Sequence, residues 1–193
     1  IVVFILNATS PLVIGGLFMA KVIVIGAGPA GIMAAIHASK KHNVTILDGN
    51  DRIGKKLFIT GKGRCNVTNS KDISEFLDYI PGNPHFLYSA LYSYTNEDTM
   101  NFFENVGIKL KVERGGRVFP MSDKSSDIIK GLSIGLKESN VQVKLNSKVT
   151  NIIYDANKIV GVEINNSTKL FYYSNWRCFL STYRIKRRRT KIC

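Results

Sequence analysis

Three cysteines, three histidines and five prolines are all that the 193 residues hold of these types, and each scarcity closes off a class of chemistry. Cys65, Cys178 and Cys193 are far apart and form no Cys-x-x-Cys pair, so neither a disulfide framework nor a cysteine metal site is supported. Cys65 reads as a packed loop residue. His37 and His42 flank the end of the first predicted helix, and His85 lies in a Pro-Gly-Asn-Pro-His turn, which leaves no histidine in a catalytic setting. Long apolar runs are missing too. Ile1 to Phe18 is shorter than a membrane span and is broken by Pro11 and Gly15-Gly16. It also lacks the basic start of a secretory signal, since the first charged residue is Lys21. Met19-Ala20-Lys21 is a natural start, so residues 1–18 are expected to be upstream sequence translated in frame and the protein to be cytoplasmic. The Asn-x-Ser/Thr triplets at Asn7, Asn43, Asn66 and Asn166 then carry no glycosylation meaning.

Acids are scarce as well, 14 against 27 Lys and Arg, for a net charge of +13. Residues 174–193 carry +7 of it and no acid, leaving +6 for the rest. The run Ile185-Lys186-Arg187-Arg188-Arg189-Thr190-Lys191 would ordinarily point to nucleic acid or an anionic surface.

What the chain does have is a dinucleotide-binding pattern in its required context. Val22-Ile23-Val24-Ile25 is a β-branched run suited to a strand buried on both faces. It enters Gly26-Ala27-Gly28-Pro29-Ala30-Gly31. Gly26 allows the sharp turn, Gly28 lets backbone approach a pyrophosphate, and Gly31 lets the next helix pack against the sheet. The phosphates would rest on that helix's N-terminus, where unpaired N–H groups and the macrodipole favour an anion. Pro29 suits the first turn, its missing N–H costing nothing there. Ile32, Met33, Ala35, Ile36 and Ala38 supply the helix's apolar face, and Val44-Thr45-Ile46-Leu47 the second strand. Asp48 follows 17 residues after Gly31, near the offset at which an acid accepts the adenosine ribose hydroxyls. An acid there disfavours a 2′-phosphate, which selects FAD or NAD over NADP.

Further along, helices are expected over Ser74–Leu91, Thr95–Val106 and Asp127–Ser139, with Gly107 as a stop. Strands are expected at Ile108–Val112, Arg117–Phe119 and Val141–Leu145, the middle one beside a Gly115-Gly116 turn. Three hairpin-linked strands follow, Val149–Tyr154, Ile159–Ile164 and Lys169–Tyr173. The fold class is α/β: a Rossmann-like FAD/NAD(P)-binding domain with a parallel sheet, helices and a β-meander crossover. With 45% hydrophobic residues, one adequate core is expected.

Gly54 to Asn69, GKKLFITGKGRCNVTN, resembles the signature of the bacterial aminoacetone-oxidase-like FAD-binding flavoproteins, some of whose relatives reduce oxidised bile acids. Leu87 to Glu104 and Glu113 to Asp127, ERGGRVFPMSDKSSD, agree with two further stretches of that family in the same order, so the likeness covers about Met19 to Tyr173. It implies an FAD-dependent oxidoreductase with a small-molecule substrate, no metal, and NAD(P)H as a possible electron donor. The adenosine half of FAD would lie on Gly26, Ala27, Gly28, Pro29, Ala30, Gly31 and Asp48. The loop after the second strand would approach the pyrophosphate and flavin, with Gly61 and Gly63 admitting backbone near a flat ring and Lys56 and Arg64 bonding phosphate or reduced flavin. Val149 would contact adenine through its backbone. The flavin carries the electrons, so no acid–base pair is required of the protein.

From Asn175 onward the chain departs from that family, which continues with Ala-Thr-Gly-Gly, Ser-Tyr-Pro, Thr-Gly-Ser and Gly-Asp-Gly. Trp176 is encoded only by TGG and every Arg codon begins with A or C, so advancing one base forces Gly. Allowed codons through Thr190 then give Gly-Gly-Val-Ser-Tyr-Pro-His-Thr-Gly-Ser-Lys-Gly-Asp-Gly. The expectation is a domain over residues 19–173, incomplete and inactive as written, followed by a frameshifted basic tail at 174–193. Two other readings are a NAD-binding module without flavin, and a short protein whose basic tail binds nucleic acid.

Overall fold

The computed structural model describes residues 2–6, 13–14, 17–155, 158–166, 168–171 and 178–179. The chain divides into two compact units, one of residues 1–51 with 141–193, the other of residues 52–140.

The first unit is built on β1 (Val2–Leu6), the short hairpin β2 (Val13–Ile14) and β3 (Leu17–Phe18), then β4 (Lys21–Ile25), α1 (Pro29–Ser39) and β5 (Asn43–Leu47). β4 and β5 pair in parallel, Lys21 opposite Asn43 through Ile25 opposite Leu47. This is the expected β-α-β unit. Val22, Val24, Val44 and Ile46 are buried with Ile32, Ala35 and Ile36 of α1, while Ile23 and Leu47 serve the opposite face. Strand alternation imposes that division, because successive residues point to opposite sides of a sheet. β1 runs antiparallel along the other edge of β4, Val2 opposite Ile25 through Leu6 opposite Lys21. Part of the expected leader thus joins the sheet, satisfying backbone groups that an open edge would leave unpaired.

The second unit contains β6 (Thr68–Asn69), α2 (Tyr88–Ser93), α3 (Asn96–Asn105), β7 (Leu110–Glu113), β8 (Arg117–Pro120) and α4 (Ser125–Glu138). Its antiparallel sheet runs in the order β6-β8-β7. Thr95 and Asp98 form a reciprocal capping box at the start of α3, and Gly107 ends it with φ +81°. α3 packs closely on α4 at Gly131, where a Cβ would come within 2.9 Å of Ile108 Cγ1 and 3.1 Å of Phe103 Cδ1.

The helix expected over Ser74–Leu91 is instead two 3₁₀ segments, Ile73–Tyr79 and Pro84–Leu87, followed by α2. Gly82 has φ +87°, and Pro84 forces Asn83 out of the helical region, to φ −109° and ψ 83°.

β9 (Gln142–Lys144) returns to the first unit as a third parallel strand beside β5. β10 (Val149–Asp155), β11 (Lys158–Ile164) and β12 (Thr168–Phe171) then form the antiparallel meander, and β13 (Cys178–Phe179) pairs with β1. Ile159, Val162 and Ile164 of the meander cluster with Ile23 and Leu47, and Ile25, Val149 and Ile152 pack against them. One face of the parallel sheet therefore carries α1 and the other the meander. The Ala156-Asn157 turn, the end of the expected strand at residues 172–173, and most of the basic tail, residues 174–177 and 180–193, lie outside the described residues. No helix among the described residues is long and apolar enough to cross a membrane.

Candidate functional site

In the first unit the glycine loop is shaped by contacts that follow from its sequence. Gly26 has φ +105°, a value side chains rarely tolerate, and its N–H donates to Leu47 O at 2.8 Å. Gly31 is required for a different reason. A Cβ there would stand 2.1 Å from Gly26 O, so only glycine lets α1 start this close beneath the loop. At Gly28 a Cβ would meet nothing within 4 Å. What its missing side chain preserves is open space above the helix end, the room that a pyrophosphate needs. Gly28 is the N-cap, Pro29 follows it, and the first turn has neither a side-chain cap nor an acid. The amides of Ala30 and Gly31 are thus left for an anionic ligand.

Asp48 closes the loop from β5. Its Oδ2 accepts from Ala27 N at 2.6 Å, and its Oδ1 accepts from both Asn50 N and Asn50 Nδ2 at 2.7 Å. Ala27 is 1% exposed, so this carboxylate satisfies a backbone donor that water cannot reach. The Asp48 carbonyl accepts from Ser147 N and the Asn50 carbonyl from Asn146 N, which ties the strand end to the β9–β10 connection. Gly26, Ala27, Gly28, Pro29, Ala30, Gly31 and Asp48 are thus brought together as the sequence implied. These groups fit the adenosine diphosphate half of a dinucleotide: open space over glycine, free amides at a helix end, and an acid beside them. Val149, at the start of β10, pairs with Ile164 and packs against the sheet core, with a register shift before Asn151.

The remaining candidates lie in the second unit. Leu57–Gly63 is an interrupted 3₁₀ segment in which Gly61 and Lys62 have φ +55° and +56°. Gly63 follows with φ +86° and Cys65 with +61°. Lys62 and Cys65 are non-glycine residues held left-handed, a local strain of about 1–3 kcal/mol each that surrounding contacts must offset. Cys65 is buried, its N–H donates to Thr60 O, and burial pushes its thiol pKa up; it packs rather than reacts. Gly61 is constrained by backbone, since a Cβ would lie 3.1 Å from Asn66 N, whereas at Gly63 a Cβ would meet nothing within 4 Å. Lys56 is exposed and makes no ion pair among the described residues.

Arg64 is held by three groups that the sequence reading had not connected to it. Its Nε donates to Asp123 Oδ1 at 2.8 Å, its Nη2 donates to Asp123 Oδ1 and Glu113 Oε1, and its guanidinium carbon sits 4.2 Å from the Phe119 ring centroid. Lys111 Nζ completes the cluster at 2.6 Å from Asp123 Oδ2. The bond to Arg64 holds Glu113 below the ordinary carboxylate range; Lys111 and then Arg64 do the same for Asp123, and both acids raise Arg64. Depressed carboxylates stabilise the fold above their unfolded pKa and lose that contribution as pH falls through the folded values. The melting temperature is therefore expected to drop below about pH 4, where free carboxylates protonate, and Asp123→Asn should flatten that drop. Thermal melts across pH 3 to 7 check it, an unchanged profile in the variant counting against the cluster.

Residues 20–174 match the Rossmann domain of the HI0933-like protein family. Among curated proteins, the 3-dehydro-bile acid delta(4,6)-reductase of Clostridium scindens is 34% identical over 128 residues, 65% of this chain and 31% of that protein. A ribosomal RNA dihydrouridine synthase of Haemophilus influenzae is 31% identical over 159 residues, 81% of this chain and 37% of that protein. The chain thus spans about a third of the length of these relatives. Among solved structures, the 3-ketosteroid-delta4-(5alpha)-dehydrogenase of Rhodococcus jostii superposes with a TM-score of 0.53 at 12% identity, covering 85% of this chain and 46% of that one. Thermovibrio ammonificans THI4 superposes with a TM-score of 0.51 at 13% identity, covering 78% and 52%. At such identities the likeness is one of fold, and it agrees with the β-α-β unit and its glycine loop. By the match over residues 20–174, the chain belongs to the HI0933-like family.

Proposed function

We propose that this chain is the FAD-binding part of a flavin-dependent oxidoreductase whose first unit holds the adenosine diphosphate half of FAD. The observation that carries the reading is the open space at Gly28 above an uncapped helix N-terminus, with Asp48 clamped beside it. The amides of Ala30 and Gly31 would take the pyrophosphate and Asp48 the ribose. Bound flavin would supply hydride transfer, and the protein's share is to bind and orient it. In the second unit, exposed Lys56 and the open side of Gly63 are the candidate flavin-end contacts. Arg64 serves them by shaping the loop through Asp123 and Glu113 rather than by meeting phosphate itself.

The names of the two curated relatives share one kind of reaction, saturation of a carbon–carbon double bond in a ring. We assign that reaction class to this chain's full-length counterpart, with a small-molecule substrate favoured over RNA and a cytoplasmic setting.

Titrating the purified chain with FAD and with FMN, followed by flavin fluorescence, tests the cofactor reading. FAD is expected to bind weakly and FMN not at all, because the site reads the half that FMN lacks. No turnover is expected from these 193 residues alone. Equal affinity for the two flavins, or binding of NAD to the exclusion of FAD, would overturn the proposal.

A further inference from the structure

The hydrogen-bonding capacity of Asp48 is nearly exhausted before any ligand arrives. A carboxylate offers about four acceptor positions. Three are taken: Oδ1 by Asn50 N and Asn50 Nδ2, and Oδ2 by Ala27 N. One position remains, on Oδ2. A ribose presents two neighbouring hydroxyls, so Asp48 alone cannot accept from both without releasing a bond it now makes.

Asn50 offers the missing acceptor. Its amide orientation is dictated by chemistry, because an ionised carboxylate only accepts and the NH₂ group must therefore face Asp48 Oδ1. The carbonyl Oδ1 of Asn50 is consequently turned away from Asp48, and no donor reaches it among the described residues. The residue itself is exposed, and two backbone contacts fix it: its N–H on Asp48 and its carbonyl on Asn146 N at 2.9 Å. Asn146 is held in turn, its carbonyl accepting from Asn165 Nδ2 at 2.9 Å, while Asn165 Oδ1 accepts from Lys148 N. Asn50 is thus a preorganised amide within hydrogen-bond distance of the Asp48 carboxylate.

We propose that Asn50 is a specificity-determining residue: Asp48 Oδ2 and Asn50 Oδ1 together read the ribose diol, each accepting from one hydroxyl. The inference rests on the dinucleotide reading of the first unit. It explains why a short acid, Asp rather than a longer Glu, is followed two residues later by an amide, since the two acceptors share the work.

The test compares binding of ADP, 2′-deoxy-ADP and 3′-deoxy-ADP to the full chain by calorimetry. The wild type is expected to bind each deoxynucleotide about fivefold more weakly than ADP. Asn50→Ala should weaken ADP by about the same factor and become indifferent to the loss of one of the two hydroxyls. Asn50→Asp keeps an acceptor oxygen but cannot donate to Asp48 and sets a second carboxylate against it, so its acceptor is displaced and it should lose sensitivity to the same hydroxyl as Asn50→Ala. A merely structural Asn50 would instead weaken all three nucleotides in parallel in both variants, which overturns the proposal. So does unchanged sensitivity to both hydroxyls in Asn50→Ala. If the wild type binds none of the three nucleotides, the dinucleotide reading itself fails and this proposal fails with it.

Discussion

Gly31→Ala is expected to cost about 3 kcal/mol of stability and to abolish measurable FAD binding. The added Cβ would be placed 2.1 Å from Gly26 O, and the obstacle is a backbone carbonyl rather than the end of a flexible side chain. Relief requires either α1 to move off the sheet or the glycine loop to open. The first route exposes Val24, which lies 3.5 Å from the same Cβ position and is fully buried, and it loosens Ile32 and Ala35 beneath the helix. The second displaces the amides that would hold the pyrophosphate. Overpacking costs about 1–3 kcal/mol, and a site closed by backbone belongs at the top of that range. Denaturant unfolding gives the stability change and flavin fluorescence the binding. A Gly31→Ala protein as stable as the wild type would mean that the helix start is not seated as described.

Asp48→Ala should be the next most damaging change, and for two separable reasons. Ala27 N loses its acceptor while staying buried, which costs about 1–3 kcal/mol. Asn50 loses the carboxylate that orients its side chain, so the ribose would meet neither acceptor in place. FAD affinity is expected to fall by more than tenfold. Asp48→Asn separates the two effects, because an amide oxygen can still accept from Ala27 N while its NH₂ group confronts the Asn50 donor. That variant should recover most of the stability and little of the binding. Equal stability of the alanine variant and the wild type would contradict the clamp.

Much of the first unit was legible because its determinants are local. Val22 to Ile25 and Val44 to Leu47 are β-branched or aliphatic runs that pair in the register the glycine turn sets. Gly26, Gly31 and Asp48 meet within one β-α-β unit, so spacing alone places them. Legibility ends where partners come from far along the chain. Arg64 meets Glu113 and Asp123, 49 and 59 residues away, and no periodicity links them. Their one signal was that all three fall within the stretches resembling the flavoprotein family. Asn50 was missed for the opposite reason: it sits beside Asp48 in sequence, but its role depends on how many acceptor positions Asp48 has left. The helix expected over Ser74–Leu91 failed on chemistry already in view, since Pro81-Gly82-Asn83-Pro84 breaks any helical run.

Binding of adenosine diphosphate at the Gly26–Gly31 loop is decided by amide-resolved NMR of the ¹⁵N-labelled chain titrated with ADP. The largest shifts are expected at Ala27, Gly28, Ala30, Gly31 and Asn50, with residues 52–140 little affected. Shifts concentrated around Lys56 to Cys65, or none at saturating ADP, would contradict it.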